Sequence, residues 1–316
     1  MDYWRINRQA WVTAVLSILP LLSACGERTI APPATPAFCV VAEFYPLYVD
    51  VLNVVGETPG VQVTNLVSTA TGCPEDYQLS PGDVKSLDAA KVFIINGAGL
   101  EGFLDKVAEQ CPHLQVVDAS ATVEKLETGG AINPHVWVSP LLAVNQVRAI
   151  AAALAKYDPT HAASYQKNAG VYEARLAAMA EQCRAELAAA PVRRIVVFHD
   201  SMPYLARDLN LQIVAVMEPA PGQNPSPREL ADVAARIHAA SGPVALLTEL
   251  DSRNPAADIL SRELGLPLFS LDTCTGGPLE PAAAREAYLR AMAKNLAMLR
   301  VALGMDKNSG KVSSGL

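Results

Sequence analysis

The sequence predicts an α/β protein: two small lobes, each on a parallel four-stranded sheet, joined by one long rigid helix. Three observations carry this reading. Short apolar runs alternate with helix-period segments in both halves of the chain, the pattern of parallel sheets covered by crossover helices. The run at 92–96 is apolar throughout, as expected for a strand buried on both faces. A helical pattern of about 30 residues lies in mid-chain, about 45 Å long at 1.5 Å per residue, more than one small lobe needs.

The elements follow in order. Strands are expected at 38–43, 61–66, 92–96 and 114–118, with helices at 45–55, 81–89 (capped by Ser80) and 99–109. Ser139 can cap a helix whose first turn holds Pro140, and the Ala-rich segment 139–156 continues it. These elements make an N-terminal α/β lobe, 38–157. Asp158 and Pro159 then open a linking helix, 158–190, in which Tyr165, Ala169, Tyr172, Leu176, Met179 and Cys183 recur at spacings of three and four. A C-terminal α/β lobe occupies 191–304. Its strands are expected at 194–198, 212–216, 244–249 and 268–271, and its helices at 203–209, 227–240, 255–264 and 281–303. A polar tail, 305–316, ends the chain.

Composition narrows the function. The 316 residues carry a net charge of −7 and no Lys/Arg run, which argues against nucleic acid and suits attraction of cations. The aromatic content, 6%, weakens a sugar- or base-stacking role. Residues 1–24 read as a lipoprotein signal peptide. Arg5 and Arg8 form a basic start, and 11–22 is an apolar stretch too short for a comfortable membrane span. It ends in Leu22-Ser23-Ala24-Cys25, which resembles the bacterial lipobox, so Cys25 is the expected lipidation site and mature N-terminus; the alternative is an ordinary signal peptide with an incidental cysteine. Two or three acyl chains hold a protein on a membrane where one alone is marginal. Residues 25–37, with Pro32, Pro33 and Pro36, form a tether. The expected location is the extracytoplasmic face of the cell membrane.

Of six cysteines, setting Cys25 aside leaves Cys39, Cys73, Cys111, Cys183 and Cys274. An odd number cannot all pair internally, and no C-x-x-C spacing supports a zinc ribbon or a thioredoxin-like site. Cys39, Cys111 and Cys183 read as buried or disulfide-paired.

The candidate site residues sit where strands end or helices begin. In Asn133-Pro134-His135-Val136-Trp137, Pro134 stiffens the turn and His135 stands at the mouth of a helix. His199-Asp200, Glu249 and Asp272 each close a strand, and Glu75-Asp76 lies in a loop ahead of Pro81. Ligands of parallel α/β sheets bind beyond the carboxyl ends of the strands. Imidazoles and carboxylates gathered there suit Zn²⁺, Mn²⁺ or Fe²⁺. His113, His161 and His238 lie at helix ends or on polar faces and read as structural.

These segments, taken together, resemble the metal-binding lipoproteins of bacterial ABC importers that capture zinc or manganese. The resemblance rests on Glu43-Phe44-Tyr45-Pro46-Leu47-Tyr48, Asp76-Tyr77-Gln78 with Pro81, Asn96-Gly97-Ala98-Gly99-Leu100-Glu101, Asn133-Pro134-His135-Val136-Trp137, Val197-Phe198-His199-Asp200 and Pro225-Ser226-Pro227, six pieces in order over nearly all of the mature chain. It implies two lobes joined by a long helix, and metal ligands at His135, His199 and Asp272. The family usually has a His before Asp-Tyr; here Glu75 takes that place. Two imidazoles and two carboxylates then form the cage. The oxygen ligands relax a preference for zinc, and no His-rich loop argues for it. Zn²⁺ comes first as transported ligand, with Mn²⁺ or Fe²⁺ as alternatives. The implied partners are an ABC permease and its ATPase, with the membrane reached through Cys25 and the protein a monomer.

Asp200 and Glu249 are read as orienting the imidazoles, against the alternative of surface salt bridges. Cys73 and Cys274 each lie two residues from a proposed ligand. They are packing residues or partners in other disulfides, a disulfide across the cleft, or the source of a thiolate ligand. The protein is not expected to be an enzyme, since four ligands leave no open position for water and neither H-E-x-x-H nor a nucleophile elbow occurs. The rival functions are a metal-dependent hydrolase, if Glu75 does not bind, and a surface adhesin with a degenerate metal site.

Overall fold

Eight strands form two parallel sheets in a computed structural model that describes residues 38–71, 74, 75, 77–217, 226–250 and 255–306. The signal segment, Cys25, the tether, Cys73, Asp76, Pro225 and the tail beyond 306 lie outside the described residues. The described residues fold as one unit.

The first lobe contains β1 (Phe38–Ala42), α1 (Tyr45–Val55), β2 (Val61–Asn65), α2 (Pro81–Asp88), β3 (Val92–Ile95), α3 (Leu104–Gln110) and β4 (Gln115–Asp118). Its strands are all parallel, in the order β2-β1-β3-β4. The expected apolar strand is β3, buried at every position. The chain leaves β1 towards β2 and returns on the other side to β3. Glu43 and Asn96 therefore follow the two strands at the topological switch point, where such sheets bind ligands.

Beyond β4 the chain makes a hairpin absent from the sequence reading, β5 (Glu127–Thr128) and β6 (Ala131–Ile132). Its turn residues, Gly129 and Gly130, have φ of 60° and 85°, which the tight hairpin turn requires at both positions. A single 3₁₀ turn, Val136–Val138, separates His135 from α4 (Pro140–Tyr157). The Ser139 side chain caps α4 by accepting from the Leu142 N–H at 3.2 Å.

A second 3₁₀ turn, Pro159–His161, leads into α5 (Ala162–Leu187). Its 26 residues span about 39 Å. Tyr165, Ala169, Tyr172, Leu176 and Cys183 form its buried stripe, as the periodicity predicts. The helix is not a bare strut: it packs on α4 and α1.

The second lobe contains β7 (Arg194–Val197), α6 (Pro203–Asp208), β8 (Gln212–Val216), α7 (Pro227–Ala239), β9 (Val244–Glu249), α8 (Pro255–Leu264), β10 (Leu268–Leu271), α9 (Pro281–Ala284) and α10 (Ala287–Ala302). The parallel order β10-β9-β7-β8 repeats the topology of the first lobe, with its first strand between its second and third. The single helix expected at 281–303 is broken between α9 and α10. There Arg285 donates to the carbonyls of Leu52, which also accepts the Gly56 N–H, and of Gly56, at the C-terminal end of α1. One hydrophobic cluster runs from Val40 and Ile94 through Leu52, Leu154 and Leu176 to Leu296 and Val197, so the two sheets share a continuous core.

Candidate metal centre

The N-terminal half of the centre is a short polar scaffold on the first switch point. The Asn96 N–H donates to Glu43 Oε2 at 2.8 Å, and the Gly97 N–H to Glu101 Oε1 at 2.6 Å. Burial, with Glu101 beside it, pushes the Glu43 carboxyl well up, and burial raises Glu101 as well. The Asn96 side chain then donates to the Pro134 carbonyl at 2.9 Å, while Gln146 donates to Asn96 Oδ1 at 3.0 Å. The switch point thus holds the loop that carries the histidine. Inside that loop, Asn133 Oδ1 accepts the His135 N–H at 3.0 Å, an Asx turn that tightens the approach to the 3₁₀ helix.

His135 is 1% exposed, and its ring packs 5.1 Å from that of Trp137. His199 enters from the other lobe, two residues past β7. The Nε2 atoms of the two rings lie 3.2 Å apart in an edge-on arrangement. Glu75, in the loop before α2, brings its Oε1 to 3.4 Å from His135 Nε2. One ligand atom from each of Glu75, His135 and His199 lies within 4.8 Å of the others.

These separations suit a bound ion. Nitrogens about 2.05 Å from a tetrahedral zinc stand about 3.3 Å apart. An octahedral ion with bonds of about 2.2 Å needs edges of about 3.1 Å, so the spacing admits either geometry. Burial, then the nearby His199 ring, holds the His135 imidazole well below its usual pKa range. At neutral pH the ring is uncharged, the form that ligates metal.

Of the four expected ligands, the structure brings three together. Asp272 stands apart from them: it follows β10, and its Oδ1 accepts the Cys274 N–H at 2.7 Å. It is nonetheless close in the fold. Thr273, the next residue, accepts at its carbonyl from Trp137 Nε1 at 3.0 Å. Asp272 also lines a cavity of about 280 Å³ with Tyr45, Cys274, Tyr288, Arg290 and Lys294.

Asp200 reaches an imidazole, but through another residue. Its Oδ2 and its backbone carbonyl both accept from Asn133 Nδ2 at 2.8 Å, and Asn133 Oδ1 lies 3.2 Å from His135 Nδ1. Thr128 of the hairpin also donates to Asp200 Oδ2. Glu249 closes β9 beside Leu271 and makes no hydrogen bond to either ring among the described residues. Asn133 is the residue that sequence reasoning left without a role. Its signal was the Asx-Pro spacing two positions before the histidine.

The other histidines lie outside the three-residue cluster: His113 meets the Asp88 carbonyl at 2.9 Å, His161 meets the Asp158 carboxylate at 2.7 Å, and His238 is exposed in the last turn of α7. Cys39, Cys111 and Cys183 are free thiols, the latter two buried. Cys274 is buried with φ of 63°. Among the described residues no helix is long and apolar enough to cross a membrane.

Residues 40–302 match the family described as zinc-uptake complex component A, periplasmic (ZnuA). The chain belongs to the ZnuA family. This is a family of substrate-binding proteins for metal transport, not of enzymes, so the hydrolase alternative is set aside. The chain is similar to the high-affinity zinc uptake system protein ZnuA of Bacillus subtilis (strain 168), 26% identical over 303 residues that cover 90% of this chain and 94% of the relative. It is 27% identical over 266 residues to the iron-binding protein YfeA of Yersinia pestis, covering 82% of this chain and 84% of that one. Among solved structures, the substrate-binding protein FpvC of Pseudomonas aeruginosa in complex with Mn²⁺ has the same fold, with a TM-score of 0.75, 30% identity, and coverage of 85% of this chain and 98% of that chain. The ZnuA-family resemblance read from the motifs and the predicted α/β class therefore both hold.

Proposed function

We propose that this chain captures a divalent metal ion outside the cytoplasmic membrane and passes it to an ABC permease driven by its ATPase. Glu75, His135 and His199 are the primary ligands. Asp272 is the fourth, drawn in when the ion arrives. The observation that carries this reading is the meeting of two imidazole nitrogens and a carboxylate oxygen, from three separate segments, at 3.2 and 3.4 Å. Ligand exchange is the only chemistry required. The ion replaces the contacts that these atoms make with one another, and the permease later offers competing ligands.

Zinc is the first expectation for the cargo, because two imidazoles with carboxylates satisfy a tetrahedral ion. The oxygen donor at Glu75 admits manganese and ferrous iron as well. Relatives named for zinc and for iron, and a structural neighbour in complex with Mn²⁺ or Ni²⁺, are consistent with a family site that tolerates several ions. Cys25 carries the lipid anchor, and the protein works as a monomer. AdcA of Streptococcus pneumoniae, similar over 83% of this chain, is named a zinc-binding lipoprotein.

Calorimetric titration of metal-stripped protein tests the function. One ion should bind per chain, with Glu75→Ala weakening zinc binding by about tenfold or more. A protein that takes up neither Zn²⁺, Mn²⁺ nor Fe²⁺ is not a metal receptor.

A further inference from the structure

We propose that Asn133 is a positioning residue that keeps the metal-binding nitrogen of His135 unprotonated and makes that nitrogen depend on contact between the lobes. The inference rests on the metal-receptor reading of the centre and adds a device to it.

The amide orientation follows from its partners. The His135 backbone N–H needs an acceptor, so Asn133 Oδ1 faces it, at 3.0 Å. The Nδ2 group then faces acceptors only: the Asp200 carbonyl, Asp200 Oδ2 and Thr128 Oγ1, the last at 3.1 Å. Tyr204 fixes the main chain of the same residue by donating to the Asn133 carbonyl at 2.9 Å. The amide cannot flip without turning an acceptor towards a carboxylate.

An amide oxygen only accepts. With Oδ1 at 3.2 Å, His135 Nδ1 must carry the ring proton, which leaves Nε2 as a lone pair aimed at Glu75 and His199. The competing tautomer is the harmful one. It would place the proton on Nε2, 3.4 Å from the Glu75 carboxylate, and the two would close the site on each other. Asn133 removes that alternative. His199 has no equivalent partner on Nδ1 among the described residues, so the two rings are unequally held.

The support crosses the seam between the lobes. Asn133 belongs to the first lobe, whereas Asp200 follows His199 in the second. Any movement that parts Asp200 from Asn133 removes two of the three acceptors of Nδ2, loosens the hold on the His135 tautomer and weakens the grip on the ion. Displacement of the His199–Asp200 loop at a permease would thereby become metal release.

Two measurements test this together. The first is imidazole ¹H–¹⁵N correlation on metal-free protein, with only five histidines to assign. Wild type should show His135 as a single Nδ1–H tautomer, and Asn133→Ala a mixture. The second is zinc titration of the wild type, Asn133→Ala, Asp200→Ala, Asp200→Asn and the Asn133→Ala/Asp200→Ala double variant. Asn133→Ala should weaken binding about 10–100-fold, the usual effect of removing the partner of a ligating histidine. Asp200→Asn keeps an acceptor for Nδ2 and should stay within about threefold of wild type. The double variant should bind like Asn133→Ala alone, because Asp200 acts through Asn133. Asp200→Ala is read by the same two measurements should Asn133→Ala fail to fold. An unchanged tautomer with unchanged affinity, or losses that add in the double variant, overturns the proposal. If wild type binds no metal, the receptor reading falls, and the tautomer spectrum still decides what Asn133 does.

Discussion

The Nε2 atoms of His135 and His199 face each other at 3.2 Å, one carried by the loop before α4 and the other by the end of β7. Two lone pairs at that distance repel, so in the metal-free protein one ring must donate to the other. On the proposed function, a divalent ion would replace that proton with a charge both rings can share. Saturating zinc should stabilise the fold by about 2.7 kcal/mol at a hundredfold excess over Kd, or about 5 °C in Tm. His199→Ala should abolish the shift while leaving the metal-free Tm within a few degrees. Thermal unfolding with and without zinc checks this; an equal shift in the variant would place the ion elsewhere.

In the proposed donor set, Glu75 is the oxygen ligand that distinguishes it from one of imidazoles alone. Glu75→His should raise the preference for zinc over manganese by about tenfold or more, since nitrogen ligands favour the softer ion. Competition titrations give the ratio. An unchanged ratio would mean that residue 75 does not touch the ion.

The seam between the lobes is pinned at several points away from the metal. Tyr45 donates to the Pro278 carbonyl at 3.0 Å, Tyr48 to that of Leu279 at 2.7 Å, and Tyr288 to that of Trp137 at 2.7 Å. With α5 packed along the shared core, metal uptake should shift loops rather than swing lobes. Metal-free and metal-bound structures should differ by a lobe rotation of less than about 20°. Tyr48→Phe, which deletes one pin, should cost about 1 kcal/mol of stability in chemical denaturation.

Asp50, 2% exposed, illustrates a buried acid that the function does not use. Burial holds its carboxyl well above the usual range. The folded form therefore keeps a proton that the unfolded chain releases. Its contribution to stability is complete below the ordinary carboxylate range and declines as pH rises towards the folded pKa. Asp50→Asn lacks this decline. From the ordinary carboxylate range up to the folded pKa the variant should gain on the wild type, by up to about 1.4 kcal/mol per pH unit. Denaturant unfolding at several pH values reads the difference. Parallel curves would mean that the carboxyl is ionised in the fold.

The central strands β1, β3, β7 and β9 were legible because parallel strands buried on both faces leave apolar runs, as at β3, and the edge strands because they alternate with the helices in each half. The two histidines were legible because each sits where a strand ends or a helix begins. The β5–β6 hairpin was not: two-residue strands containing Glu127 and Thr128 carry no period, and only Gly129-Gly130 marks the turn. The break between α9 and α10 depends on Arg285 reaching Gly56, 229 positions away, which local periodicity cannot register. Asp272 shows the limit at the site itself. Its place after a strand was readable, but not that its Oδ1 accepts the Cys274 N–H. Asn133 was quoted within its motif and still missed, because its role exists only once Asp200, 67 positions on, comes beside it.

The most direct test of the central claim is a crystal structure of the zinc-loaded protein with anomalous scattering recorded at the zinc edge. The account predicts one strong peak about 2.0–2.2 Å from Glu75 Oε, His135 Nε2 and His199 Nε2, with the Asp272 carboxylate turned in as the fourth ligand. A peak bound elsewhere, or none at the three-residue cluster in protein that has taken up zinc, would contradict it.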